Sequence, residues 1–89
     1  MEITNVKVTL VDDPSLKAIA TLTFDGCFVI KGVKVVTGER GLFVAMPSRK
    51  LPDRTHQDVA YPSTREMAEK VRTMVLDQYR MAVSMAVKP

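Results

Sequence analysis

Asp25-Gly26 separates two stretches of alternating apolar residues, and no other feature narrows the possible folds as far. Both residue types tolerate the positive φ angles of a type I′ turn, whose twist matches the strands that it joins. Before the turn, Ala18, Ala20, Leu22 and Phe24 occupy one face, with Lys17, Thr21 and Thr23 on the other, the period of a half-buried strand. After it, Phe28 to Val36 is the antiparallel partner, and Gly32 within that run marks a bulge or a close backbone approach.

The same period runs through Thr4, Val6, Val8 and Leu10, alternating with Asn5, Lys7 and Thr9. Val11 to Ser15 holds two Asp residues, Pro14 and Ser15, which together predict a loop, and Thr37 to Gly41 is a further turn. Leu42 to Met46 is nearly all apolar, which predicts a central strand or one covered on both faces. Pro47 ends that strand. Ser48 to Asp58 is the longest polar stretch, and Val59-Ala60-Tyr61 reads as a short closing strand. Ser63 precedes Glu66 by three residues, the spacing of a capping box. Met67, Val71, Met74, Val75 and Gln78 then follow a helical rhythm, widened by Leu76, Tyr79 and Val83. From Met81 the pattern loosens into Ala, Val and Met, so the helix end is expected to fray or to pack against a neighbour. The expected fold is α+β, a single domain over residues 1–89. An antiparallel sheet of four to five strands lies within about residues 3–61, packed with a C-terminal helix over about residues 63–83.

A domain of this length buries only roughly 60–65% of its unfolded surface, and one small core contributes about 3–5 kcal/mol. Small domains therefore usually carry a staple. Cys27 is the only cysteine and His56 the only histidine, so neither a disulfide nor a zinc cluster within the chain can serve, which leaves oligomerisation. Cys27 reads as a buried or half-buried structural thiol. The absence of cystine pairs, the charged Glu2 and Lys7 near the start and the lack of a long apolar run together predict a cytoplasmic protein with no membrane partner. The net charge of +3 resides wholly in residues 39–89, because four Lys balance four acids in residues 1–38. That tilt permits phosphate contacts without demanding them.

Ser48, His56 and Asp58 are the residue types of a catalytic triad, but no glycine-flanked nucleophile accompanies them, and their spacing on one polar loop is unremarkable. Asp12 and Asp13 are loop acids before a proline, and the four glycines are too dispersed to cradle a phosphate. No enzyme, cofactor, metal or small-molecule substrate is expected. The polar loop differs in kind. Arg49, Lys50 and Arg54 lie within six residues, beside Ser48, Thr55, His56 and Gln57, all able to donate to phosphate oxygens. Such cations bind nucleic acid by releasing counterions, and Arg also forks onto guanine edges. The simpler reading is a solvated loop kept polar for solubility. Arg65, Lys70 and Arg72 could extend the patch, although Glu66 and Glu69 dilute it. Aromatic residues do not interleave with the basic ones, which argues against a base-stacking platform.

Some segments carry more than physics. Lys17 to Asp25, Phe28 to Ile30, Val33 to Val36 and above all Gly41 to Lys50 (GLFVAMPSRK), followed by Pro52-Asp53 and Asp58-Val59-Ala60-Tyr61-Pro62, form a specific pattern. In these the chain resembles the stage V sporulation protein G (SpoVG) family of bacterial septation and sporulation regulators, from Ile3 to about Pro62. The resemblance implies a homodimer joined through sheet edges. It also implies sequence-preferring binding of DNA, and of RNA in some members, in the regulation of gene expression. The family's basic pair after Met-Pro-Ser falls on Arg49 and Lys50, and the expected nucleic-acid site comprises Ser48, Arg49, Lys50, Arg54, His56 and Gln57. Three positions depart from the pattern: Arg54 stands where Gly is usual, Gln57 where a basic residue is usual, and Tyr61 where His is common. The rival expectation is a protein-interaction adaptor that works through its sheet edge and Met-rich helix.

Overall fold

The computed structural model describes residues 1–86. In chain order it contains β1 (Ile3–Leu10), β2 (Leu16–Phe24), β3 (Phe28–Gly38), β4 (Gly41–Ala45), β5 (Ser48–Lys50), β6 (His56–Asp58) and α1 (Arg65–Ala86). The first four form an antiparallel sheet in the order β1-β2-β3-β4, and β5 and β6 pair as a separate two-stranded ribbon. The class is α+β, as the periodicities predict.

The Asp25-Gly26 turn forms as its chemistry requires, with φ of 50° and 64° at the two residues. The Cys27 amide closes it by donating to the Phe24 carbonyl at 3.0 Å. Cys27 itself is left out of the ladder, which resumes with Phe24 opposite Phe28. The loop therefore has three residues, and Cys27 is exposed rather than buried or half-buried. The N-terminus ties this turn down: the Asp25 amide donates to the Glu2 carbonyl at 2.7 Å, and the Glu2 amide to Asp25 Oδ1 at 2.8 Å.

Bulges decide which residues reach the core. A register shift beside Gly32, whose φ is 83°, changes the parity of β3, so that Ile30 before it and Val33 and Val35 after it all face the helix. A second shift between Ile3 and Asn5 does the same for Ile3 and Val6. The resulting cluster joins Ile3, Ala18, Ala20, Leu22, Phe24, Val33 and Val35 of the sheet to Val71, Val75 and Leu76 of α1. Leu22, Val33, Val35 and Val75 are fully buried, and burial of each such side chain stabilises the fold by about 1.5–3 kcal/mol. The helix packs chiefly along β1, with lesser contacts to β4 and β3.

Four further expectations need correction. Leu42 to Met46 is not a central strand: β4 lies at an edge, where Leu42 and Val44 face the core and Phe43 points away, 47% exposed. Ordinary alternation, hidden because both faces are apolar, accounts for that run. Val59-Ala60-Tyr61 is not a strand, and the main sheet has four strands. The helix runs over Arg65–Ala86 rather than about 63–83, so it continues through the loosened segment, where Val83 is half-buried. Its cap is Thr64, not a Ser63–Glu66 box: the Met67 amide donates to Thr64 Oγ1 at 3.1 Å. With Thr64 as cap, Met67 takes the third helical position and its side chain packs against the core, so the reciprocal half of a box is absent there.

Candidate nucleic-acid interface

Pro47 ends β4, and the polar stretch after it folds back on itself. The Val59 amide donates to the Pro47 carbonyl at 2.8 Å, which closes the base of the ribbon. Within it Ser48 stands opposite Asp58, Arg49 opposite Gln57, and Lys50 opposite His56. Successive residues of a strand point to opposite faces, so Arg49 and Gln57 share one face while Ser48, Lys50, His56 and Asp58 share the other. All six of these residues are exposed.

The tip is built from Leu51 to Thr55. The Arg54 amide donates to the Leu51 carbonyl at 2.9 Å, and the Leu51 amide to the Thr55 carbonyl at 2.8 Å. Pro52, with its fixed φ, occupies the second position of that turn. Asp53 Oδ1 accepts from the Thr55 hydroxyl at 2.6 Å and from the Thr55 amide at 3.0 Å. These bonds, the hydroxyl's first, hold the Asp53 carboxyl below its ordinary pKa. Arg54 has a φ of 72°, in the left-handed region that a glycine normally fills after such a turn.

Ser48, Arg49, Lys50, Arg54, His56 and Gln57, all named from sequence, are thus gathered on one ribbon, with cations on both faces and at the tip. Among the described residues the one ion pair is Arg80–Asp77 on the helix, at 3.5 Å, so the three ribbon cations are free of carboxylate partners. Arg65, Lys70 and Arg72 are exposed on α1, a separate element. No side-chain hydrogen bond links Ser48, His56 and Asp58 among the described residues. What sequence reasoning missed is the ribbon itself. Its two strands have three polar residues each and no apolar alternation to announce them, and Pro52-Asp53 was the available turn signal.

Among the described residues no helix is long and apolar enough to cross a membrane, and no three His, Cys, Asp or Glu side chains gather as a metal site. The family model described as SpoVG matches residues 1–81. A relative from Clostridium beijerinckii is 44% identical over 85 residues, covering 94% of this chain and 93% of its own length. One from Heliobacterium modesticaldum is 43% identical over 88 residues, covering 98% of this chain and 99% of its own. One from Caldicellulosiruptor saccharolyticus is 39% identical over 85 residues, with 94% and 97% covered. Each bears the SpoVG name, with septation as the process in that name. Match, identity and coverage agree with the pattern read from Gly41 to Pro62, and the chain belongs to the SpoVG family.

Proposed function

We propose that the protein is a dimeric, nucleic-acid-binding regulator that grips DNA, and RNA as a second ligand, through the β5–β6 ribbon. The observation that carries this reading is the ribbon's shape and charge. A two-stranded β-ribbon is one of the two element types that the major groove of DNA admits. This ribbon carries Arg49 on one face, Lys50 on the other and Arg54 at the tip, all exposed. Its acid at the tip, Asp53, is committed to Thr55 within the turn. Arg49 and Arg54 supply planar forks for phosphates or guanine edges, and Lys50 supplies a point charge. The open edges of β1 and β4 offer backbone groups for a second copy, and a two-fold dimer would present two ribbons to one duplex. The process served in this reading is regulation of gene expression in septation or sporulation, which the septation name of its relatives supports.

Salt-titrated binding to duplex DNA tests the reading. Arg49→Ala with Lys50→Ala should flatten the log–log salt slope by about two units, since each phosphate contact contributes about 0.9. An unchanged slope removes both residues from the interface. The adaptor reading is favoured by Met81 and Met85, which stand 58% and 75% exposed on α1. Partner pull-downs that survive nuclease treatment, with no oligonucleotide shifted in a gel, would favour it over nucleic-acid binding.

A further inference from the structure

The charge of the first half of the chain, neutral in total, is sorted by the fold. The strands β1 to β4 contain Lys7, Lys17, Lys31 and Lys34 and not one Asp or Glu. Glu2, Asp12, Asp13, Asp25 and Glu39 all lie in the N-terminus or the turns. Three of the lysines share the face of the sheet that the helix does not cover. Lys7 stands opposite Thr21, Lys34 stands opposite Ile19, and Lys31 follows the core-facing Ile30 at the Gly32 bulge. Lys7 and Lys31 are therefore separated by two strand spacings, about 10 Å, and Lys31 and Lys34 by about 10 Å along β3. No carboxylate pairs with any of them among the described residues.

An aromatic ring shares this face. Phe43 lies against Gly38, close enough that a Cβ added there would stand 2.9 Å from its Cε1. The missing side chain of Gly38 lets the ring settle on the hairpin, and it remains 47% exposed. Phe43 is paired with Val36 and Ala45 with Lys34, so ring and ammonium group are diagonal neighbours on one surface. Ile19 and Val29, 39% and 50% exposed, widen the apolar part.

We infer that this helix-free face is a second nucleic-acid surface, which takes a single strand with phosphates on Lys7, Lys31 and Lys34 and a base on Phe43. Cations that track a backbone beside an aromatic platform are the recurring means of holding unpaired strands, and open four-stranded sheets bearing aromatics hold splayed bases in the same way. A stacked duplex offers no free base face to Phe43. A second copy of this chain laid face to face would set three lysines against three, at a cost in like-charge repulsion. The inference shares with the proposed function its ligand class and nothing else, since the ribbon and this face have no residue in common.

The test uses the full chain with labelled oligo-dT, oligo-rU and a duplex of equal length, each titrated with salt. The combined Lys7→Gln, Lys31→Gln and Lys34→Gln variant should flatten the slope for the single strands by about two units, at about 0.7 per phosphate, and leave duplex binding intact. Phe43→Leu should weaken single-strand binding about tenfold without altering the slope. Because Phe43→Leu could disturb β4, photocrosslinking of a thiouridine oligomer to the wild-type chain is the second readout, with Phe43 expected in the crosslinked peptide. A single-strand salt slope that the lysine changes leave unaltered overturns the inference. So does a changed sedimentation mass of the lysine variant with an unchanged slope, which would assign the face to a second copy. Failure of the ribbon reading is distinct: it appears as duplex binding that survives Arg49→Ala with Lys50→Ala.

Discussion

Replacing Arg54 with glycine should make the protein more stable and a weaker binder at once. Arg54 holds a φ of 72° at the ribbon tip. A residue with a Cβ in that region is strained by roughly 1–2 kcal/mol. Arg54→Gly removes the strain but frees the unfolded chain, which offsets about 0.4–1 kcal/mol of the gain. The net expectation is a stabilisation of about 0.5–1 kcal/mol, which for a domain of this size raises Tm by about 3–6 °C. Arg54→Ala keeps the Cβ and hence the strain, so its stability should stay within about 0.5 kcal/mol of the parent's. Both variants lose one exposed cation, and both should flatten the duplex salt slope by about one unit. Thermal melts followed by circular dichroism, with salt-titrated binding on the same preparations, read out both effects. A Tm of Arg54→Gly no higher than that of Arg54→Ala would refute the strain argument, and an unchanged slope in both would take Arg54 out of the contact.

The helix cap gives a sharper contrast than most surface sites. Thr64→Ala should lower stability by about 1 kcal/mol, whereas Ser63→Ala should change it by less than about 0.5 kcal/mol, as measured by urea denaturation. Acid should act through two turn carboxylates. Asp13 is held below its ordinary pKa by the Leu16 and Ser15 amides, and Asp53 by the Thr55 hydroxyl and amide. A folded pKa below the unfolded one contributes stability that is present above the unfolded value and lost as pH falls through the folded value. Stability from these groups should thus be flat above about pH 5 and decline below about pH 4. Asp13→Asn and Asp53→Asn should each make the acid limb of a stability–pH curve shallower, and an unaltered limb in both would remove these turns from the acid response.

Much of the fold was legible because its signals are local. Asp25-Gly26 carries its own turn chemistry, and Ala18, Ala20, Leu22 and Phe24 carry an unbroken period of two. Where the sequence misled, the deciding cause was non-local or one residue wide. The edge position of β4 depends on which strand lies beyond it, and nothing within Leu42 to Met46 encodes that. Thr64 and Ser63 are both good caps, and the choice between them is made by the need to turn Met67 and Val71 toward the sheet. The candidate site residues were legible as neighbours in one loop, but the form of that loop was hidden. Polar three-residue strands have no periodicity to read, and the usual glycine that would have marked the tip is Arg54 here. The lysines of the open face were hidden for another reason: in the chain they alternate with apolar residues and are balanced by acids, and pairing four strands separates the two signs.

The most direct test of the ribbon as the nucleic-acid contact is a titration of isotope-labelled protein with a short duplex, followed by backbone amide chemical shifts. The largest perturbations should fall on the amides of Ser48 to Leu51 and Asp53 to Asp58, and should shrink in parallel as salt is raised. Shifts concentrated on α1 or on the edges of β1 and β4, with those ribbon amides unmoved at saturation, would contradict the account.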